Sequence, residues 1–112
     1  MRRDFKLPLR KKSGGATVEE LSYGPVETGW ILCLQRIGAR DVDNAFTRLR
    51  IIVRGRGYDH VWAEVTNVEA NKLYWSDDAL FLIGGEYLIL EFTGTTSGDS
   101  LEGFLTGYEE EV

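Results

Sequence analysis

Leu80-Phe81-Leu82-Ile83-Gly84-Gly85-Glu86-Tyr87-Leu88-Ile89-Leu90-Glu91-Phe92-Thr93-Gly94 is the stretch that decides the fold. The turn Thr95-Thr96-Ser97-Gly98-Asp99-Ser100 and the run Leu101 to Tyr108 complete it. Phe81 to Ile83 reads as a short strand that halts at two glycines. Glu86 to Phe92 and Leu101 to Tyr108 read as strands whose apolar residues alternate, as a pleated surface with one buried face requires. Glycines and short polar residues sit at the junctions, where tight turns need them. This is the pattern of a compact antiparallel β domain.

The same pattern extends upstream. Ala45 to Arg54 alternates most clearly: Ala45, Thr47, Leu49, Ile51 and Val53 share one face, while Phe46, Arg48, Arg50, Ile52 and Arg54 share the other. Gly55-Arg56-Gly57 turns the chain into Tyr58 to Val65, where Val61, Ala63 and Val65 alternate with His60, Trp62 and Glu64. Gly29 to Ile37 is apolar on both faces and suits a central strand. Gly38 to Asn44 reads as a loop, Thr17 to Tyr23 as a strand, and Asn67 to Trp75 as a segment ending in one. No segment shows the 3.6-residue period of an amphipathic helix. The expectation is an all-β antiparallel sandwich, a single jelly roll of about eight strands. The Cys…Trp…Cys spacing of an immunoglobulin domain is absent.

With 112 residues the chain forms one domain, and its 43% hydrophobic and 28% charged composition is ordinary for a globular protein. No apolar run reaches the roughly 20 residues of a membrane helix, and no signal-like apolar stretch follows the basic N-terminus. Cys33, the only cysteine, reads as a buried thiol. The net charge of −5 is unevenly spread. Residues 1–12 hold Arg2, Arg3, Lys6, Arg10, Lys11 and Lys12 against Asp4, whereas Asp99, Glu102, Glu109, Glu110 and Glu111 crowd the other end. Residues 1–15 therefore read as a basic arm with a Ser13-Gly14-Gly15 joint, and residues 16–112 as the sandwich domain. In the arm, Arg2, Arg3, Phe5, Lys6, Leu7 and Leu9 offer charge and strand-forming apolar groups to a partner, and Pro8 restricts the arm to an edge. An acidic body makes nucleic acid a poor partner, since a polyanion demands a sustained positive surface.

Chemistry-bearing constellations are scarce. One histidine, His60, and one cysteine make no zinc spacing. Asp41-Val42-Asp43-Asn44 starts like a calcium loop but lacks the glycine and glutamate such a loop needs at its sixth and twelfth positions, and reads as a turn. No cofactor is expected. Asp77-Asp78, or Glu64 with Glu91, are the only carboxylate pairs to weigh for glycoside hydrolysis, and solvated surface is the better account. Gly55-Arg56-Gly57 lacks the lysine and helix of a phosphate loop. Phe46, Arg48, Arg50 and Ile52, with Trp62 beside them, define a face where apolar groups alternate with arginines, an oligomer interface. Trp30, Trp62, Trp75, Tyr58, Tyr74 and Tyr87 supply the alternative, a sugar-stacking platform centred on Trp62.

Gly85-Glu86-Tyr87-Leu88, Phe92-Thr93-Gly94, Gly98-Asp99-Ser100-Leu101 and Gly107-Tyr108-Glu109, with Asp43-Asn44-Ala45 ahead of a long alternating strand, resemble the small β-rich virion proteins of tailed bacteriophages. The resemblance implies a jelly-roll-like capsid decoration, auxiliary or spike protein. Such a protein is a non-enzymatic homo-oligomer, most often a trimer, that docks on a major capsid protein and resides on the capsid surface after assembly in the host cytoplasm. Its partners are protein, not nucleic acid or membrane. The alternative reading is a carbohydrate-binding module using exposed aromatics.

Overall fold

The computed structural model describes residues 1–112. They form nine strands and no helix: β1 (Arg2–Lys12), β2 (Val18–Tyr23), β3 (Trp30–Asp41), β4 (Phe46–Gly55), β5 (Tyr58–Val68), β6 (Tyr74–Ser76), β7 (Leu80–Ile83), β8 (Tyr87–Thr93) and β9 (Ser100–Glu111). One sheet runs β1-β9-β3-β6, with β7 also on β3, and the other runs β2-β8-β4-β5. All pairings are antiparallel. β7 pairs with Ile31–Leu34 and β6 with Ile37–Ala39, so the two are halves of one strand position interrupted near Asp77-Asp78. Counted that way, the first strand pairs with the last, the second with the next to last, the third with the sixth and the fourth with the fifth. These nested pairs are dealt alternately to two sheets, which is a jelly roll.

The core lies between the sheets. Leu32, Leu34 and Ile37 of β3, and Leu101 and Leu105 of β9, face Leu49, Ile51 and Val53 of β4 and Leu88, Leu90 and Phe92 of β8; all are buried. Each such side chain contributes roughly 1.5–3 kcal/mol of transfer free energy. The β4–β5 hairpin closes as the glycines require, with Gly57 at φ +83°.

Several sequence expectations need correction. β3 continues through the expected loop Gly38–Asn44 as far as Asp41, and Gly38 is a strand residue over which the Trp75 ring lies, where a Cβ would touch it at 3.2 Å. A bulge at Gln35 shifts the register between Leu34 and Arg36, so Ile37 joins Leu32 and Leu34 in the core instead of sharing a face with Cys33. A second bulge leaves Trp62 unpaired between Ala63, opposite Ile51, and Val61, opposite Ile52. It inverts the expected faces: Val61 is exposed, and Trp62 turns toward Val53 and Leu80 at the margin of the sandwich.

Residues 1–15 are not a separate arm. β1 pairs with β9 along its whole length, from Arg2 opposite Glu110 to Lys12 opposite Ser100. Pro8 fits because β1 is an edge strand. Ser13-Gly14-Gly15 is no flexible joint either: Ser13 is buried, exchanges backbone bonds with Gly98 and Asp99, and shares a hydroxyl bond with Thr95 at 2.8 Å.

Candidate functional site

The outer face of β4 carries Arg48 and Arg50, which the sequence marks as an interface, with Arg54 beside them, and each is already engaged. Arg48 faces Glu91 at 3.6 Å and Arg50 faces Glu64 at 2.5 Å. Arg54 donates both terminal nitrogens to Glu20 at 2.9 Å and Nε to Asp59 at 2.8 Å. Ile52 is buried in this face beside Ile89, its register partner. Phe46 has left the face altogether and packs in the core, its ring 5.4 Å from that of Phe92. The expected grouping of Phe46, Arg48, Arg50, Ile52 and Trp62 is therefore dispersed. Cross-strand acids fill the alternating stripe, a feature hidden in the sequence because those acids lie on three other strands.

The arm residues are also satisfied within the chain. Arg3 pairs with Glu109 at 2.6 Å and lies over the Trp30 ring, and Arg2 stacks on Tyr108 with its guanidinium carbon 3.7 Å from the ring centre. Phe5 meets Tyr23 edge-on at 4.8 Å, and Leu9 packs on the core. Leu7 is half-buried in the same row, and Lys6 borders a groove on the outer face. The opposite charges of the two chain ends thus meet across one β ladder.

What remains unpartnered is the opposite side of the sandwich. Of the ten large hydrophobic residues that stand exposed, six lie on β5, β6 and β7: Tyr58, Val61, Trp62, Trp75, Phe81 and Ile83. β5 is the edge of one sheet, and β6 and β7 form the edge of the other. Trp75, Phe81 and Ile83 are 54%, 59% and 57% exposed, too open to be core residues. Tyr58, His60 and Trp62 of β5 and Phe81 of β7 line one cleft over Val53 and Leu80, with the His60 and Trp62 rings 6.4 Å apart. Tyr58 donates its hydroxyl to Glu86 at the rim of that cleft. Further along, Trp75 borders an apolar slot over Leu49 and Ile51. Phe81 and Ile83 escaped the sequence reading, although their alternation with Leu80 and Leu82 on a short strand was a usable signal. The aromatics do not form one platform, since Trp30 and Tyr74 pack against the core.

A second cluster occupies one end of the sandwich. Asp41 at the end of β3, Asp43 in the following loop and Asp99 before β9 bring carboxylate oxygens within 4.8 Å of one another. Asp41 Oδ1 accepts the amides of Asp43 and Asn44, Asp43 Oδ2 accepts that of Ser100, and Asp99 accepts Thr96 N–H and the Asn44 side-chain amide. Burial, and then the Asp99 carboxyl beside it, pushes Asp41 up to about 6. Burial alone would raise Asp99 too, but hydrogen bonding from Asp41, Asn44 and the Thr96 amide outweighs it and holds Asp99 below the usual carboxylate value. Nothing local in the sequence announces this meeting, because Asp99 arrives from the far end of the chain.

No protein-family model and no curated protein matches the chain. Among solved structures, it is similar to a chain in the structure of infectious bursal disease virus Gt strain, with a TM-score of 0.38 and 14% identity. The match covers 97% of this chain and 31% of that one. At that score the jelly-roll assignment rests on strand order and register alone.

Proposed function

We propose that the protein is a non-enzymatic virion structural protein, a capsid decoration, auxiliary or spike protein of the tailed-phage type. In this reading it assembles with copies of itself, as a trimer, and docks on a major capsid protein at the capsid surface. The observation that carries the proposal is the concentration of exposed Trp62, Trp75, Phe81 and Ile83 along the side where β5, β6 and β7 end the two sheets. Contiguous apolar groups on a free surface mark places of association, and aromatic anchors dominate such contacts. Free sheet edges add unpaired backbone groups for a neighbouring strand. The jelly roll supports the reading as a scaffold used by viral capsid domains, although lectins and cupins share it. The strand-and-turn resemblance to small virion proteins supports it as well. Docking falls to the assembled surface, because β1 is committed to β9 and is not free to act as an arm.

Sedimentation over a wide concentration range tests the reading. About three chain masses of 12.7 kDa are expected, and Phe81→Ser should shift the species toward monomer without loss of fold, since that side chain is largely exposed. A wild-type monomer at every concentration sinks the assembly reading. A second reading, a carbohydrate-binding module, is favoured by one feature: a groove of about 330 Å³ walled by Trp75 and Phe104 and bordered by Lys6, Arg36 and Arg40. Binding on a glycan array that Trp75→Ala removes would select it.

A further inference from the structure

We propose that Asp41, Asp43 and Asp99 form a calcium site that ties together the loops at one end of the jelly roll. Two observations lead there. The first is the convergence itself: three carboxylates, from the end of β3, the loop after it and the loop before β9, lie within 4.8 Å. Two oxygens bound to calcium at 2.3–2.6 Å lie at most about 5 Å apart, whereas across magnesium the limit is about 4.2 Å. Separations of 4.8 Å or less are compatible with a shared calcium ion. The second is an orphaned atom. Asp41 is fully buried, its Oδ1 is occupied by two backbone amides, and its Oδ2 meets only the Asp99 carboxyl, so with both groups ionised that oxygen has no hydrogen-bond donor.

A buried carboxylate oxygen without a donor is costly and calls for a proton or a cation. A cation beside Asp41 and Asp99 would satisfy both carboxylates at once. Asp43 is the exposed member of the trio, so the cluster opens to solvent on its side. Ions enter past Asp43, and waters complete the oxygen shell that calcium requires. Lys12 is the cation that acts on Asp99, and its ammonium is bonded to the Ser100 hydroxyl at 2.7 Å. One lysine does not balance three carboxylates, so a divalent ion relieves repulsion that the protein alone leaves in place.

The scaffold is fixed before any ion binds. Asp41 O accepts Asn71 N–H at 2.7 Å, Val42 N–H bonds to Ser100 O at 3.0 Å, and Asp99 O accepts Ser13 N–H at 2.8 Å. Little backbone ordering is then required on binding. An ion at this point would brace the β1–β2, β3–β4, β5–β6 and β8–β9 connections together. The sequence lacks a linear calcium loop because the donor set is assembled by the fold.

Calorimetric titration of the full chain with calcium chloride, at neutral pH in chelator-treated buffer, tests the proposal alongside thermal unfolding. One site per chain is expected, with a Kd of roughly 10⁻⁵–10⁻³ M and a melting temperature that rises with calcium. Asp43→Asn, at an exposed position that keeps the fold, should weaken binding about tenfold or more, and Asp99→Asn should abolish it. Sodium chloride of equal ionic strength should not reproduce the shift. Absence of binding heat together with a thermal shift no larger than that of sodium chloride overturns the site. So does wild-type affinity in Asp43→Asn, a result that stands even if Asp99→Asn does not fold.

Discussion

Replacing Phe5 and Leu9 together by alanine separates an integral β1 from a loosely attached arm. Both side chains are half-buried on the inner face of β1, Phe5 against Tyr23 and Leu9 against the core cluster. Full truncation of a buried Phe costs about 3–5 kcal/mol and of a Leu about 2–5 kcal/mol. At half burial, about 2 and about 1.5 kcal/mol are expected for these two sites. Four residues apart on a strand, they are separated by roughly 13 Å, so their effects should add to about 3–4 kcal/mol. Against a typical domain stability of about 5–15 kcal/mol that is a large fraction, with a fall in melting temperature of ten degrees or more. Urea unfolding followed by tryptophan fluorescence and far-ultraviolet circular dichroism provides the measurement. The double variant should show a lower midpoint with little change in slope. An unfolding free energy within about 0.5 kcal/mol of wild type would refute the placement of β1 in the sandwich, because side chains of a detached arm contribute nothing to folding. Removing residues 1–12 altogether should also expose β9 as a new edge and promote aggregation.

Gly107→Ala should destabilise by about 1–3 kcal/mol or more, because an added Cβ would run into the Cys33 carbonyl on the neighbouring strand; urea unfolding reads it. Arg54→Met should cost about 1 kcal/mol in low salt and less at 1 M salt, where the exposed parts of its contacts to Glu20 and Asp59 are screened. Glu19 is held below the usual carboxylate value by Lys11 and by the Gly14 and Ala16 amides, against the opposing effect of burial. Its stabilisation is therefore present above the unfolded-state value and is lost as pH falls through the lower folded-state value. The difference in unfolding midpoint between wild type and Glu19→Gln should accordingly be largest near neutrality and vanish in strong acid.

Alternation in Ala45 to Arg54 and Glu86 to Phe92, with glycines between runs, is enough to establish an all-β sandwich and to put Leu49, Ile51 and Val53 on one face, which the structure buries. Those signals are local, since the period of two and the turn residues act within a few positions. Strand partnership is not local. That β1 closes on β9 depends on a match between Arg2-Arg3 and Glu109-Glu110 across the length of the chain, and the same charges read in isolation describe an arm and an acidic tail. A single inserted residue reverses every face beyond it, which is why the bulges at Gln35 and Trp62 moved Ile37 into the core and Val61 out of it. The arginine stripe looked adhesive until tertiary pairing brought Glu91, Glu64 and Glu20 opposite it. The exposed side formed by β5, β6 and β7, and the meeting of Asp41 with Asp99, exist only once the sheets have stacked. Which residues alternate and where the chain turns follow from local order along the chain, because both are short-range consequences of backbone geometry. Which surfaces stay uncovered is settled only when the sheets stack, because exposure depends on what every other strand has already covered.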